Sequence, residues 1–297
     1  MKRIQILILL VAAGLGAFGC GRFNNQANET AGDRVVVISP IYNEIIWALG
    51  AQDKVVGVDL SSTYPPEIKN VQTVGYHRAL SAEGILSLHP SAILSSNDNI
   101  GPPQVIEQMK QLNIPIKAFD AKNDSPDGTK ALIREIGAYF GKQEKAEELC
   151  RNLDAQMVAS LEAVKQYTDK PRVAVIHFGR ASNVYMVVGK GGGGDGGGVT
   201  KMIEWAGGQM AVETSGMQRM TSPEVLAQAN PDTILLTDYG YDRLGGSIDQ
   251  IKELPGVAGS DAAKNGRIYR IEENQVNYLG PRTGENIQKL AAIIHQK

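Results

Sequence analysis

The chain has 297 residues, 42% of them hydrophobic, enough for one large domain or two modest ones with a real core. Its formal net charge of -2 supplies no bulk field toward nucleic acid or an acidic membrane surface, which disfavours a nucleic-acid function. Its four histidines are scattered along the chain and do not make the converging ligand set that a dedicated zinc site needs.

The first segment sets the compartment. Lys2 and Arg3 form a short basic start, and Ile4 to Phe18 is an apolar run. The run is shorter than the about 20 residues of a membrane span, so it reads as a secretory signal. It ends in "AFGC", where a small residue directly before Cys20 resembles the lipobox of bacterial lipoproteins. That resemblance implies cleavage before Cys20, acylation of its thiol and a periplasmic or cell-envelope location. Residues 1–20 are thus assigned to the signal and 21–33, "GRFNNQANETAGD", to a polar tether without periodicity. Cys150 is then the one cysteine besides the anchor, has no partner within the chain, and reads as a small buried residue of a helix.

From Arg34 strand-like and helix-like segments alternate. "RVVVISP" is a β-branched run, "IYNEIIWALGA" a helix with a glycine stop, and "VVGVD" a second strand. "VGYHRAL", residues 74–80, reads as a loop, followed by the short helix "SAEGILSLHP" and the strand "SAILSS". "PPQVIEQMKQLN" is a helix and "IPIKAF" a strand. "SPDGTKALIREIGAYFG" is a helix with Ser125 as N-cap and Gly141 as stop. Lys142 to Tyr167 breaks the rhythm. Ala146, Leu149, Leu153, Met157, Leu161 and Val164 recur every three or four residues, and Pro171 ends the run. Some 25 residues would span roughly 37 Å, more than one lobe of this size needs. Alternation then resumes with "RVAVIHFG", "VYMVVG", a glycine tract, "VTKMIEWAGG", "SPEVLAQANP", "DTILLTD" and a last helix from Thr283. "LSAEGILSLHPSAILSS" and "MTSPEVLAQANPDTILLT" share one layout, which points to two related lobes. The expected fold is α/β. An N-terminal lobe (34–141) and a C-terminal lobe (169–297), each with a parallel or mixed sheet, are joined by one bridging helix (142–168), with a cleft that hinges little.

The segments "RVVVISPIYNEIIWALGAQDKVVGVD", "TYPPEI", "VGYHRALSAEGILSLHP", "GGSIDQIKELPGV" and "LGPRTGENI" resemble extracytoplasmic substrate-binding proteins of ABC importers. The likeness covers roughly residues 34–297. It is to the class with a single backbone helix, class III periplasmic binding proteins, which carries corrinoids, ferric siderophores and heme. The "VGY-x-R-x-LSAEG" run is similar to the heme-binding members. The resemblance implies that Tyr76 is an axial ligand of heme iron and that Arg78 lies near the heme. It also implies that Glu83 and Glu224, at equivalent places in the two repeats, dock onto arginines of a permease dimer in the inner membrane. Heme is then a transported ligand rather than a catalytic cofactor, and the protein a monomer.

Elementary chemistry agrees with that set. Ferric iron is a hard cation and a phenolate oxygen a hard donor. A free phenol ionises near a pH of about 10, and coordination beside a guanidinium favours the phenolate. In an extended loop Tyr76 and Arg78 would share a face and His77 would point away. His177, after the strand "RVAVI", is a possible second axial ligand. Loops after strands line the crevice of an α/β sheet, so Tyr239, Tyr241 and Arg243 in "DYGYDRLGG" and Arg180 in "HFGR" are candidates to flank a flat ligand and its carboxylates. Arg282 in "GPRTGE" matches a segment of the class or orients the last helix. His89 and His295 are expected at the surface. The tract at Gly189–Gly198 fits a dinucleotide fingerprint only because it is nearly all glycine, and reads as a loop rimming the cleft.

No G-x-S-x-G or H-E-x-x-H run is present, so nothing in the sequence argues catalysis. The same architecture carrying a corrinoid or a ferric siderophore is the near alternative. A periplasmic metal-assisted hydrolase would need histidines and carboxylates converging in the cleft, and a surface adhesion lipoprotein would need no cleft.

Overall fold

The computed structural model describes residues 33–95, 100–178, 185–189, 198–212, 216–219, 223–238 and 246–296. The N-terminal part runs β1 (Val35–Ile38), α1 (Pro40–Ala48), β2 (Val55–Val58), β3 (Gly75–Tyr76), β4 (Ala79–Leu80), α2 (Ala82–Ser87), β5 (Ala92–Ser95), α3 (Pro103–Gln111), β6 (Ile116–Lys117) and α4 (Pro126–Tyr139). A single long helix, α5 (Gln143–Val164), follows. The C-terminal part runs β7 (Arg172–Phe178), β8 (Tyr185–Val188), α6 (Gly198–Trp205), β9 (Gln209–Met210), β10 (Met217–Arg219), α7 (Glu224–Ala229), β11 (Thr233–Thr237), α8 (Ile248–Lys252), α9 (Asp261–Lys264), β12 (Ile268–Ile271), α10 (Asn274–Asn277) and α11 (Thr283–Ile294).

The first sheet is parallel, in the order β2-β1-β5-β6. Its central strands "VVVI" and "AILS" are buried throughout, as strands covered on both faces must be. The second sheet has the order β10-β8-β7-β11-β12, with β9 beside the start of β7. Strands β7, β11 and β12 are parallel, and β8 and β10 extend the sheet antiparallel. Serine side chains start several of the helices. Ser39, Ser81, Ser125 and Ser260 each accept a backbone N–H of the first turn. Gly141, at φ +66°, ends α4 in the left-handed conformation that glycine adopts freely.

The bridging helix is 22 residues long, about 33 Å at the helical rise. It buries Ala146, Cys150, Leu153, Met157 and Ser160. The expected stripe included Leu161, but Leu161 is 38% exposed and Ser160 is buried instead. The cause is α11, whose Gly284 packs onto α5 and whose carbonyl accepts a hydrogen bond from Ser160 Oγ at 2.7 Å. One apolar cluster includes Val35 and Ile45 of the first part, Leu153 of α5, and Val173, Leu235 and Leu290 of the second. The core therefore continues through the bridge. The architecture is that of two α/β lobes joined by one long helix.

His295 is a correction. It was expected at the surface but is 7% exposed. Its Nδ1 lies 2.8 Å from Asp169 Oδ1, its Nε2 lies 3.0 Å from the Ala206 carbonyl, and its ring stacks on Tyr167 at 4.0 Å. It anchors the end of α11 to the chain just after the bridge. His89 is exposed, as expected, and Cys150 is buried.

Candidate functional site

"VGYHRAL" folds as a tight hairpin, not as an extended loop. Gly75 pairs with Leu80 and Tyr76 with Ala79, leaving His77 and Arg78 as the turn. Gly75 holds φ +106°, and a Cβ there would come within 2.6 Å of the Ala79 carbonyl oxygen, so glycine is required. Reversal of the chain at His77–Arg78 removes the alternation expected for an extended strand. The expectation that His77 turns away from Tyr76 is corrected, because the two rings lie 4.1 Å apart at 49°. Tyr76 and His77 are half-buried and Arg78 is exposed.

The hairpin is fixed at the C-terminal edge of the first sheet. Val74 N donates to the Val58 carbonyl at 2.9 Å, and Leu60 N to the Gly75 carbonyl at 2.8 Å. Gly101, just before α3, donates to His77 O and accepts from Leu80 N. The loop after β2 therefore carries the Tyr76 hairpin on one side. On its other side the same loop reaches the second lobe: Tyr64 lies under the Arg282 guanidinium, 3.3 Å from ring centroid to Cζ.

There the two lobes meet in a buried polar seam that sequence reasoning missed. Arg282 NH2 lies 2.9 Å from Glu44 Oε2 of the first lobe and 2.7 Å from Glu272 Oε1 of the second. Asn274 Nδ2 also donates to Glu44, at 2.9 Å. Burial pulls the Arg282 pKa down, but the hydrogen bonds and charges of Glu44 and then Glu272 outweigh it and raise it. Asp59 is held by Ser61 and Ser62, and burial raises its pKa. The one sequence signal was Asn43 and Glu44 within the otherwise apolar "IYNEIIWALG", both of which prove buried.

On the second lobe, His177 sits near the end of β7 with Nδ1 3.2 Å from Thr237 Oγ1 and 3.8 Å from Glu273 Oε1. Burial lowers its pKa to about 4. Glu273 is pushed up to about 8 by burial, against a hydrogen bond from Asn277 and with help from the charges of Asp238 and Asp59. Burial thus favours the neutral form of both groups over an ion pair. Glu273 Oε2 has no hydrogen-bond partner among the described residues.

Glu83 and Glu224 are exposed in the first turns of α2 and α7, the short helices that precede β5 and β11. The repeat in the sequence is thus a repeat in structure. Arg180, Tyr239, Tyr241, Arg243, Cys20 and residues 190–197 lie outside the described residues. Among the described residues, no three His, Cys, Asp or Glu side chains are grouped to hold a bare metal ion.

Comparison with known proteins agrees with this architecture. The uncharacterized ABC transporter substrate-binding lipoprotein YvrC of Bacillus subtilis is 26% identical over 99% of this chain and 98% of its own. A cobalamin-binding protein of Halobacterium salinarum is 26% identical over 89% of this chain and 69% of its own. The solved structure of the periplasmic heme-binding protein RhuT from Roseiflexus sp. RS-1, in apo form, superposes with a TM-score of 0.77 at 32% identity, covering 89% of this chain and 98% of that one. Other matching structures are also periplasmic heme-binding proteins, among them BhuT in complex with two hemes. The periplasmic binding protein family model matches residues 35–275. The chain belongs to the periplasmic binding protein family and is a substrate-binding protein of an ABC transporter.

Proposed function

We propose that the protein binds heme in the cleft between its lobes and delivers it to an ABC permease in the inner membrane, tethered to the cell envelope through an acylated Cys20. The observation that carries the ligand is the Tyr76 hairpin. A phenol, an imidazole and a guanidinium occupy three consecutive residues of a hairpin held by the loop after β2, the loop that also reaches the seam. The phenolate of Tyr76 is the axial donor to ferric iron, and Arg78 serves a heme propionate. The 32% identity with the heme-binding protein RhuT, across 89% of the chain, supports the same choice.

His177 is the candidate for the opposite face. Its burial keeps the imidazole neutral, which is the form that coordinates a metal, and Thr237 fixes the orientation of its ring. Arg180, Tyr239, Tyr241 and Arg243 remain candidates to flank the macrocycle. Glu83 and Glu224, one exposed carboxylate on each lobe, are the docking pair for basic residues of a two-fold permease. Their place in the first turn of a helix is also where the helix dipole favours an acid, so docking has to be shown by transport.

A corrinoid is the second reading, favoured by the cobalamin-binding relative. Titration with hemin in the presence of excess cyanocobalamin separates the two. The heme reading predicts saturable growth of a shifted Soret band that the corrinoid leaves unchanged. Displacement of hemin by the corrinoid would overturn it.

A further inference from the structure

Arg282 is gripped from both lobes. Glu44 of α1 and the ring of Tyr64 approach it from the first, Glu272 and its own loop from the second. Its Glu44 pair is almost dry, with side chains 15% and 3% exposed. Around it the segment carrying Arg282 lies directly on the first lobe. The Leu279 carbonyl accepts from Asn123 Nδ2 at 3.3 Å and from Thr129 Oγ1 at 3.2 Å. A Cβ on Gly280 would sit 2.8 Å from Ile41 Cδ1 and 2.9 Å from Glu44 Oε1. The guanidinium is therefore a cross-lobe contact with no slack around it.

We propose that Arg282 is an interlobe clamp whose Glu44 arm holds the two lobes at a fixed separation, while its Glu272 arm only orients the guanidinium within the second lobe. The two arms are chemically alike and differ in which lobe they reach. Loss of the Glu44 arm leaves Arg282 paired to its own lobe and loosens the seam, which keeps the Tyr64 contact and the bonds to the Leu279 carbonyl. Loss of the Glu272 arm leaves the cross-lobe bond in place. Either single loss leaves the guanidinium one carboxylate partner, so what separates the two variants is which lobe that partner belongs to. The clamp acts in the ligand-free protein, and its test does not depend on whether the ligand is heme.

Hydrogen–deuterium exchange on the ligand-free full chain reads this directly. Glu44→Gln should speed exchange of the amides of residues 278–286 and of the facing residues 121–129 by about tenfold, the open fraction implied by weakening a coupling of about 1.4 kcal/mol. Glu272→Gln should leave both segments within about twofold of the wild type. Should Glu44→Gln fold poorly, Glu44→Asp, which keeps the charge but draws it back from the guanidinium, should give the same asymmetry. Equal changes in the Glu44 and Glu272 variants, a larger change in the Glu272 variant, or no change in the Glu44 variants would overturn the clamp.

Discussion

Glu273 and His177 lie 3.8 Å apart with side chains only 5% and 16% exposed, and each is shifted toward its neutral form. Glu273 keeps its proton up to about 8 when folded, against an ordinary value of 4.5. Folding therefore takes up a proton between those values, and stability falls as pH rises through that window. His177 is neutral down to about 4 when folded, against an ordinary 6.5, so folding releases a proton and stability rises across its window. The two slopes oppose each other up to about 6.5, and above it His177 no longer offsets the Glu273 slope. Asp59 and Glu272, both raised by burial, act in the same direction as Glu273. Urea unfolding should show stability falling by about 1 kcal/mol between pH 6.5 and 8, and Glu273→Gln, which mimics the protonated carboxyl, should flatten that fall. An unchanged slope in the variant would show that Glu273 is already ionised at neutral pH.

Helix α11 reaches the bridging helix through a glycine. A Cβ at Gly284 would stand 2.6 Å from the backbone carbon of Gln156, and α5 has no room to withdraw because Leu153 and Met157 are packed in the core. Gly284→Ala should cost about 1–3 kcal/mol by overpacking, measured by urea unfolding, whereas a substitution within a few tenths of the wild type would mean that the helices separate freely. The same element shows why sequence periodicity went astray at its end. A 3.6-residue pattern continues through Leu161 or Ser160 equally well, and only the approach of Gly284 decides for Ser160. The elements of regular length were legible, because "VVVI", "TILLT" and the long run through α5 carry buried strand or helical patterns several residues long. The Tyr76 hairpin was not, since strands of two residues have no period and its fold rests on the positive φ of Gly75.

At the scale of the molecule, the duplicated strand-preceding helix was visible in "SAEG" and "SPEV", and it places one exposed glutamate on each lobe. Replacing Glu83 and Glu224 together by alanine should abolish permease-dependent uptake in reconstituted vesicles while leaving ligand affinity unchanged; retained uptake would remove them from the docking surface. The seam was illegible for the opposite reason. Glu44, Asp59, Glu272 and Arg282 are residue types that a sequence places at the surface, and only the meeting of elements from both lobes buries the first two and half-buries the others. The loop after β2, which reaches that seam at Tyr64, also holds the hairpin on which the ligand assignment turns. The most direct measurement is hemin titration of the wild type against Tyr76→Phe, followed by visible absorption. Removal of the phenol oxygen should eliminate the phenolate-to-iron charge-transfer band and weaken binding by at least about tenfold, or about 1.4 kcal/mol. An identical spectrum and affinity in the two proteins would contradict the account.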